Sequence, residues 1–222
     1  MLVKELLDID NLIIYQDTDL YRFTSDAIIL SKFAHAKKGE VVADFCSGSG
    51  IVGLHYYALN KDLVKRVDLY EMQTPLFDLS KKTVLDNGLT EVIFPNNIKV
   101  QDISVGNFYD TVLCNPPYVK MNSGLSKEMP MHLKVCREEV TLTFAEICRS
   151  ASKVLKQGGR FCFVHRADRL AEIIWDLKSN KLEPKRLQMV NGNDNSSPYL
   201  VLVEAVKGGK SGLTVLPNLT NK

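Results

Sequence analysis

A short apolar run, Val41-Val42-Ala43-Asp44-Phe45, passes directly into Cys46-Ser47-Gly48-Ser49-Gly50 and then into a helical pattern over roughly residues 51–60. A strand that is apolar on both faces is covered from both sides, as in a parallel sheet. Glycines placed immediately after it let the backbone turn sharply and approach a ligand closely. These two properties restrict the chain to helix-covered α/β architectures, and the remaining sequence repeats the theme. Arg66–Glu71, Ile98–Asp102, Tyr109–Asn115 and Arg160–His165 read as further strands. Between them, Thr74-Pro75 is a helix start with Thr at the N-cap, and Asn87-Gly88 is a left-handed stop. Val140, Phe144, Ile147, Cys148, Ala151 and Leu155 recur at helical spacing up to Gly158-Gly159. Leu170, Ile173, Ile174 and Leu177 form one face of another helix. No helix separates Lys185–Val190 from Tyr199–Val206, which predicts a hairpin. The expected fold is α/β: a mostly parallel seven-stranded sheet, helices on both faces, and an antiparallel C-terminal strand.

At 222 residues the chain has the length of a single α/β domain. Within it, residues 1–38 precede the core, 39–206 form the core, and 207–222 are a Gly- and Pro-punctuated tail expected to be partly irregular. The formal net charge of +2 does not mark a nucleic-acid binder, so any basic surface must be local. Glu5, Asp8 and Asp10 near the start do not suit a signal peptide, and no apolar stretch reaches the ~18 residues of a membrane span. The five cysteines are scattered without a CxxC pair, which predicts neither a disulfide framework nor a metal site and fits the reducing cytoplasm.

In open sheets of this kind ligands bind outside the carboxyl ends of the strands, and three groups of residues fall there. The first is the turn Asp44 to Gly50, with Cys46, Gly48 and Gly50 as candidate cofactor contacts. Gly48, Gly50 and Gly53 also spell the GxGxxG of a dinucleotide site, with Glu71 downstream. A pyrophosphate, however, wants amides and no carboxylate, and Asp44 is a carboxylate. The ammonium of a methionine end, as in S-adenosylmethionine, suits it directly or through water. The second group is acidic. Glu71 can accept both hydroxyls of a ribose and Asp102 an adenine amino group, with Met72 and Ile103 on either face of the ring.

The third group, Asn115-Pro116-Pro117-Tyr118, is the most specific. Two prolines fix the backbone and remove two donors, so carbonyls remain as acceptors beside the Asn115 side-chain oxygen. An amide or aniline-like amino group is a poor nucleophile because its lone pair is delocalised. Two acceptors holding its hydrogens build lone-pair character toward an incoming methyl, and Tyr118 offers a flat face on which to stack it. No strong base is needed, because the proton becomes acidic as the N–C bond forms. In-line positioning and charge placement supply the rate.

Together these groups resemble class I Rossmann-like S-adenosylmethionine-dependent methyltransferases of the amino-group type, over nearly the whole chain. The family usually has glycine where Cys46 stands, which narrows the cleft slightly. More closely, the chain resembles bacterial tRNA(Val) adenine-N6 methyltransferases, which modify the adenine beside the anticodon. The matching pieces are Phe23-Thr24-Ser25-Asp26-Ala27 with Leu30, Asn115-Pro116-Pro117-Tyr118, Cys136-Arg137-Glu138-Glu139, Val164-His165-Arg166 with Arg169-Leu170, and Val203 to Gly209. The resemblance implies that Phe23–Asp26 lies over the cofactor, with Thr24 and Asp26 near its methionine end. Glu138 departs from the histidine expected there.

The implied partner is RNA, most specifically tRNA, with neither membrane nor metal involved. Residues 119–139 read as a lid at the substrate entrance, with Lys120, Lys127, Lys134 and Arg137 partly offset by Glu128, Glu138 and Glu139. His165, Arg166, Arg169, Lys178, Lys181, Lys185 and Arg186 suggest a track for phosphates, or else a solvated helix face. Asn-Pro-Pro-Tyr does not by itself separate adenine N6 from guanine N2 or a glutamine amide. About 40 residues precede the first core strand, which disfavours a release-factor glutamine methyltransferase, expected to carry an N-terminal helical domain. A non-catalytic cofactor- or RNA-binding module would have no need of amino-group acceptors.

Overall fold

The computed structural model describes residues 1–20, 22–118 and 142–221. The chain opens with a hairpin, β1 (Leu2–Leu6) and β2 (Ile13–Asp17), and the helix α1 (Ser25–Phe33). The core then runs β3 (Glu40–Phe45), α2 (Ile51–Leu59), β4 (Val64–Tyr70), α3 (Thr74–Asp86), β5 (Ile93–Asn96) and β6 (Tyr109–Cys114). It continues through α4 (Phe144–Val154), β7 (Leu155–Arg166), α5 (Leu170–Ser179), β8 (Leu182–Asn191), β9 (Pro198–Lys207) and β10 (Thr214–Thr220).

Among the described residues, eight strands form one sheet in the order β10-β8-β9-β7-β6-β3-β4-β5. Within it β9 runs antiparallel to both its neighbours, and every other pairing is parallel. The expected hairpin is therefore β8–β9. The expected seven strands become eight, because Thr214–Thr220 of the tail pairs in parallel with β8 at the sheet edge. The Gly-rich stretch before that strand hides it in the sequence, and its half-exposed edge position gives it only a weak apolar pattern.

Strict alternation along the strands builds two apolar layers. Phe45, Cys114, Phe161, Phe163, Val201 and Val203 face α4 and α5, while Val42, Leu113, Cys162, Val164 and Leu202 face α1 and α2. Both layers are buried, which is why these strands read as continuous apolar runs. Each fully buried Phe or Leu side chain contributes roughly 1.5–3 kcal/mol. Helix α4 starts at a reciprocal capping box. The Glu146 N–H donates to Thr143 Oγ1 at 3.3 Å, and the Thr143 N–H donates to Glu146 Oε2 at 2.8 Å.

Two local expectations shift. Helix α3 has Gln73, not Thr74, at its N-cap; Thr74 is its first residue, and its hydroxyl donates to Asn97 Oδ1 at 3.0 Å. The strand expected at Ile98–Asp102 lies earlier, at Ile93–Asn96, and Val100–Asp102 is a 3-10 turn. Val100 and Ile103 are buried in the core, which gives that turn the apolar look of a strand. Val140 and the whole 119–139 segment lie outside the described residues.

Candidate active site

The order of the strands reverses between β3 and β6, and a cleft opens at their carboxyl ends. Its walls include Cys46, Ser47, Gly48 and Ser49 from the turn after β3, Glu71, Met72 and Gln73 after β4, Ile98 to Gln101 after β5, and Asn115 and Pro117 after β6. Three groups that are distant in sequence thus share one cavity.

The turn after β3 is held from below. Its Ser47 N–H donates to the Tyr70 carbonyl at 3.0 Å. Cys46, Gly48 and Gly50 all have left-handed φ, at 55°, 57° and 90°. Glycine adopts that conformation freely, whereas the Cys46 side chain does so at a cost. Gly50 is the N-cap of α2 and packs against Leu69 rather than lining the cleft. Asp44 is fully buried beneath the turn. Its Oδ2 accepts the Gly53 N–H at 2.8 Å, while Oδ1 and the Ser47 hydroxyl are buried without a partner. Burial, reinforced by nearby Glu71, pushes the Asp44 carboxyl up to about 8.

Glu71 is 6% exposed. Its two oxygens accept the Gly48 N–H at 2.9 Å and the Gln73 N–H at 2.8 Å. Burial raises its pKa against the pull of those amides. The carboxylate is thereby fixed at the cleft wall, bridging the first and second strand ends. Asn97 Nδ2 donates to the Glu71 carbonyl at 2.9 Å and fastens the third segment to it.

The third segment departs from expectation. Asp102 is the exposed last residue of the 3-10 turn, one position beyond the lining residue Gln101, and Ile103 is buried in the core. The strand ends earlier than expected, so the chain crosses the cleft mouth through Ile98, Lys99, Val100 and Gln101. Met72 does line the cleft.

At the fourth strand end, Asn115 is half-buried and Pro116 and Pro117 are buried. The Tyr118 hydroxyl donates to Asn115 Oδ1 and lies 3.4 Å from Asp26 Oδ2. Asp26 therefore stands beside the Asn-Pro-Pro-Tyr element; burial raises its pKa, opposed by hydrogen bonds from Thr24 and Tyr118. Thr24 is the exposed N-cap of α1 and lies outside the cleft wall. Sequence reasoning missed Ser47, Gln73 and Gln101 as wall residues. Ser47 alone carried a signal, as the small residue between two candidate contacts of a ligand-facing turn.

The suggested phosphate track is interrupted: its exposed cations are Arg166, Lys178 and Lys181, whereas His165 and Arg169 are buried. His165 is fully buried, and Arg166 pairs with Asp168. Lys178 pairs with Glu183 at 2.8 Å, Lys185 donates to the Lys210 carbonyl at 3.1 Å, and Arg186 pairs with Glu204 at 3.1 Å over the Phe33 ring. Lys181 is exposed. Lys120, Lys127, Lys134, Arg137 and Glu138 lie outside the described residues.

A cleft at the strand-order reversal, walled by a glycine turn, a buried acid and Asn-Pro-Pro, coincides with a family match. The methyltransferase small domain family matches residues 24–178. The chain belongs to that family. This methyltransferase is 21% identical over 155 residues to the tRNA1(Val) (adenine(37)-N6)-methyltransferase of Dyadobacter fermentans, an alignment covering 69% of this chain and 62% of the relative. It is 25% identical over 117 residues to the release factor glutamine methyltransferase of Mycoplasma mycoides, covering 48% of this chain and 38% of that one. The chain thus spans less than two thirds of the length of these curated relatives. Its fold matches the crystal structure of a predicted O-methyltransferase from Agrobacterium tumefaciens, with a TM-score of 0.69 at 20% identity, covering 88% of this chain and 86% of that one.

S-adenosylmethionine is the methyl donor that the family and the site chemistry call for. The residues present fit it. Asp44 has a buried oxygen without a partner below the turn, suited to an ammonium group, and Glu71 is a fixed carboxylate suited to a ribose diol. Glu71 suits the ribose of either ligand, whereas Asp44 directly beneath the glycine turn is unsuited to a pyrophosphate, which disfavours the dinucleotide alternative.

Proposed function

We propose that this methyltransferase transfers a methyl group from S-adenosylmethionine to an exocyclic amino nitrogen of RNA, specifically N6 of an adenine beside the anticodon of a tRNA. The observation that carries the reading is the position of Asn115. Its amide sits at the end of β6, in the wall of the same cleft that Glu71 and the glycine turn define. An acceptor for amino hydrogens therefore stands within the donor cavity. The named activity of the Dyadobacter relative supports adenine N6 as the target.

When bound, S-adenosylmethionine supplies an electrophilic methyl group on a sulfonium. The chain supplies the rest. Asp44, with Cys46, Gly48 and Gly50 shaping the turn above it, holds the methionine end; Glu71, with Met72 beside it, holds the ribose; and the segment reaching Gln101 and Asp102 takes the adenine edge. Asn115 Oδ1 and the Pro116 carbonyl accept the two hydrogens of the target amino group and aim its lone pair. Tyr118 stacks on the base, which leaves its own helix to reach the pocket. Asp26, at the start of α1, stands beside Asn-Pro-Pro-Tyr through the Tyr118 hydroxyl.

The test is methylation of unmodified total tRNA with isotopically labelled S-adenosylmethionine, followed by digestion to nucleosides and mass spectrometry. Label in N6-methyladenosine is the expected result. Label in N2-methylguanosine would retain the chemistry and move the target. A second reading, a glutamine side-chain amide, draws on the release-factor methyltransferase relative. Label in protein and in no nucleoside would establish that one instead.

A further inference from the structure

We infer that Arg169 is a positioning residue for the Asn-Pro-Pro-Tyr element and not a phosphate contact. The inference rests on the proposal that this element grips the target amino group. Arg169 follows β7 on a 3-10 turn (Ala167–Arg169), and its sequence neighbours His165 and Arg166 invite a phosphate-binding reading. The structure turns it inward. Its side chain is 9% exposed, and Nη1 donates to the Tyr118 carbonyl at 3.0 Å. The same guanidinium meets Glu172, with Nη2 to Oε1 at 2.7 Å and Nε to Oε2 at 3.4 Å.

A buried guanidinium is costly unless its donors are paired in good geometry. Here one planar fork serves a carboxylate and a backbone carbonyl together, which a lysine ammonium does not reproduce. The carbonyl it holds is the last of Asn-Pro-Pro-Tyr. The start of that element is fixed by the ladder, where Cys114 pairs with Phe45 and with Phe163. Pro116 and Pro117 have no N–H with which to tie the turn to its surroundings. Beyond the ladder, Arg169 holds its backbone at the Tyr118 carbonyl.

His165 completes the support. Its ring lies 5.5 Å from that of Tyr118 and 5.1 Å from that of Phe144, edge-on to both. Burial and the nearby Arg169 charge push the imidazole down to about 3, so it stays neutral beneath the tyrosine and adds no second cation. Arg169 thus sets the Tyr118 backbone and His165 limits its ring, while Asn115 and Asp26 meet its hydroxyl.

The test compares Arg169→Gln and Arg169→Lys with wild type. The readouts are kcat and KM on unmodified total tRNA, S-adenosylmethionine Kd by calorimetry, and fluorine NMR of protein labelled with 3-fluorotyrosine. The Tyr118 resonance is assigned by its loss in Tyr118→Phe. Misplacing a reacting group by about an ångström costs on the order of 100-fold, so Arg169→Gln is expected to lower kcat ~10- to 100-fold. The cofactor Kd should stay unchanged and the Tyr118 resonance should shift while other tyrosines do not. Arg169→Lys should recover part of both effects. An unshifted Tyr118 resonance would overturn the inference, as would parallel loss of cofactor binding and all tyrosine dispersion. So would a raised KM with unchanged kcat and a salt slope smaller by about one, the mark of a phosphate contact. If wild type methylates no tRNA, the RNA proposal fails, and the NMR and Kd readouts still decide the role of Arg169.

Discussion

The Gly53 N–H donates to Asp44 Oδ2 at 2.8 Å, and this bond draws the strand-end carboxylate beneath the glycine turn. The other oxygen is left buried without a partner among the described residues. A charge buried this way is unfavourable without a cation beside it, so the proposed ammonium contact would tie cofactor binding to the ionisation of Asp44.

The first expectation concerns pH. The folded Asp44 carboxyl, at about 8, lies above its ordinary carboxylate value, so its stability contribution is full below the unfolded pKa. That contribution is lost as pH rises through the folded value. The ligand-free protein should therefore lose melting temperature between about pH 4 and pH 8, and Asp44→Asn should flatten that slope. S-adenosylmethionine affinity should run the opposite way, rising with pH toward 8 in wild type but not in Asp44→Asn. Calorimetry in buffers of different ionisation heat would register proton release on binding; its absence would detach Asp44 from the ammonium.

Gly53 is the third glycine of the apparent dinucleotide signature, and its reason is packing. A Cβ there would come within 2.6 Å of Leu69 Cδ2, 3.0 Å of Val67 Cγ1 and 3.2 Å of Asp44 Oδ2. Gly53→Ala is expected to destabilise by about 1–3 kcal/mol through overpacking and to weaken cofactor binding by moving Asp44. Urea unfolding with a calorimetric titration checks both. Unchanged values would mean that α2 slides on β4 without resistance.

Cys46 holds φ at 55° where the resembled family has glycine. Left-handed backbone costs a non-glycine residue roughly 1–2 kcal/mol, part of which glycine returns as unfolded-state entropy. Cys46→Gly should raise stability by about 1 kcal/mol and leave methyl transfer intact. A fall in melting temperature would show that contact with the buried Cys114 thiol outweighs the strain.

Asn115→Ala removes the side-chain acceptor without touching Asp44 or Glu71. Loss of one such polar contact at the reacting atoms typically costs 10²–10³ in kcat. Turnover should fall by about that factor while S-adenosylmethionine Kd changes little. Full activity in Asn115→Ala would remove the amino-group assignment.

Much was legible in the sequence because it is set locally. The strand-and-helix alternation, the turn after Phe45 and the β8–β9 hairpin follow from apolar periodicity and from glycines that release the backbone. The acceptor character of Asn-Pro-Pro follows from proline lacking an N–H. Asn115, Glu71 and the Cys46–Ser49 turn read as strand ends from the local pattern alone, and they meet in one cleft.

What the sequence left open is decided by long-range packing. Val100 and Ile103 look like strand residues because both are buried, but only the position of β5 beside β4 shows that they close a 3-10 turn, leaving Asp102 exposed. Thr214–Thr220 becomes a strand only because β8 presents an edge for it to pair with. Arg169 carries the same charge in any one-dimensional reading. That it faces the Tyr118 carbonyl and not solvent depends on residues 51 positions apart meeting across the sheet, where a buried charge must find its partners or not be buried at all.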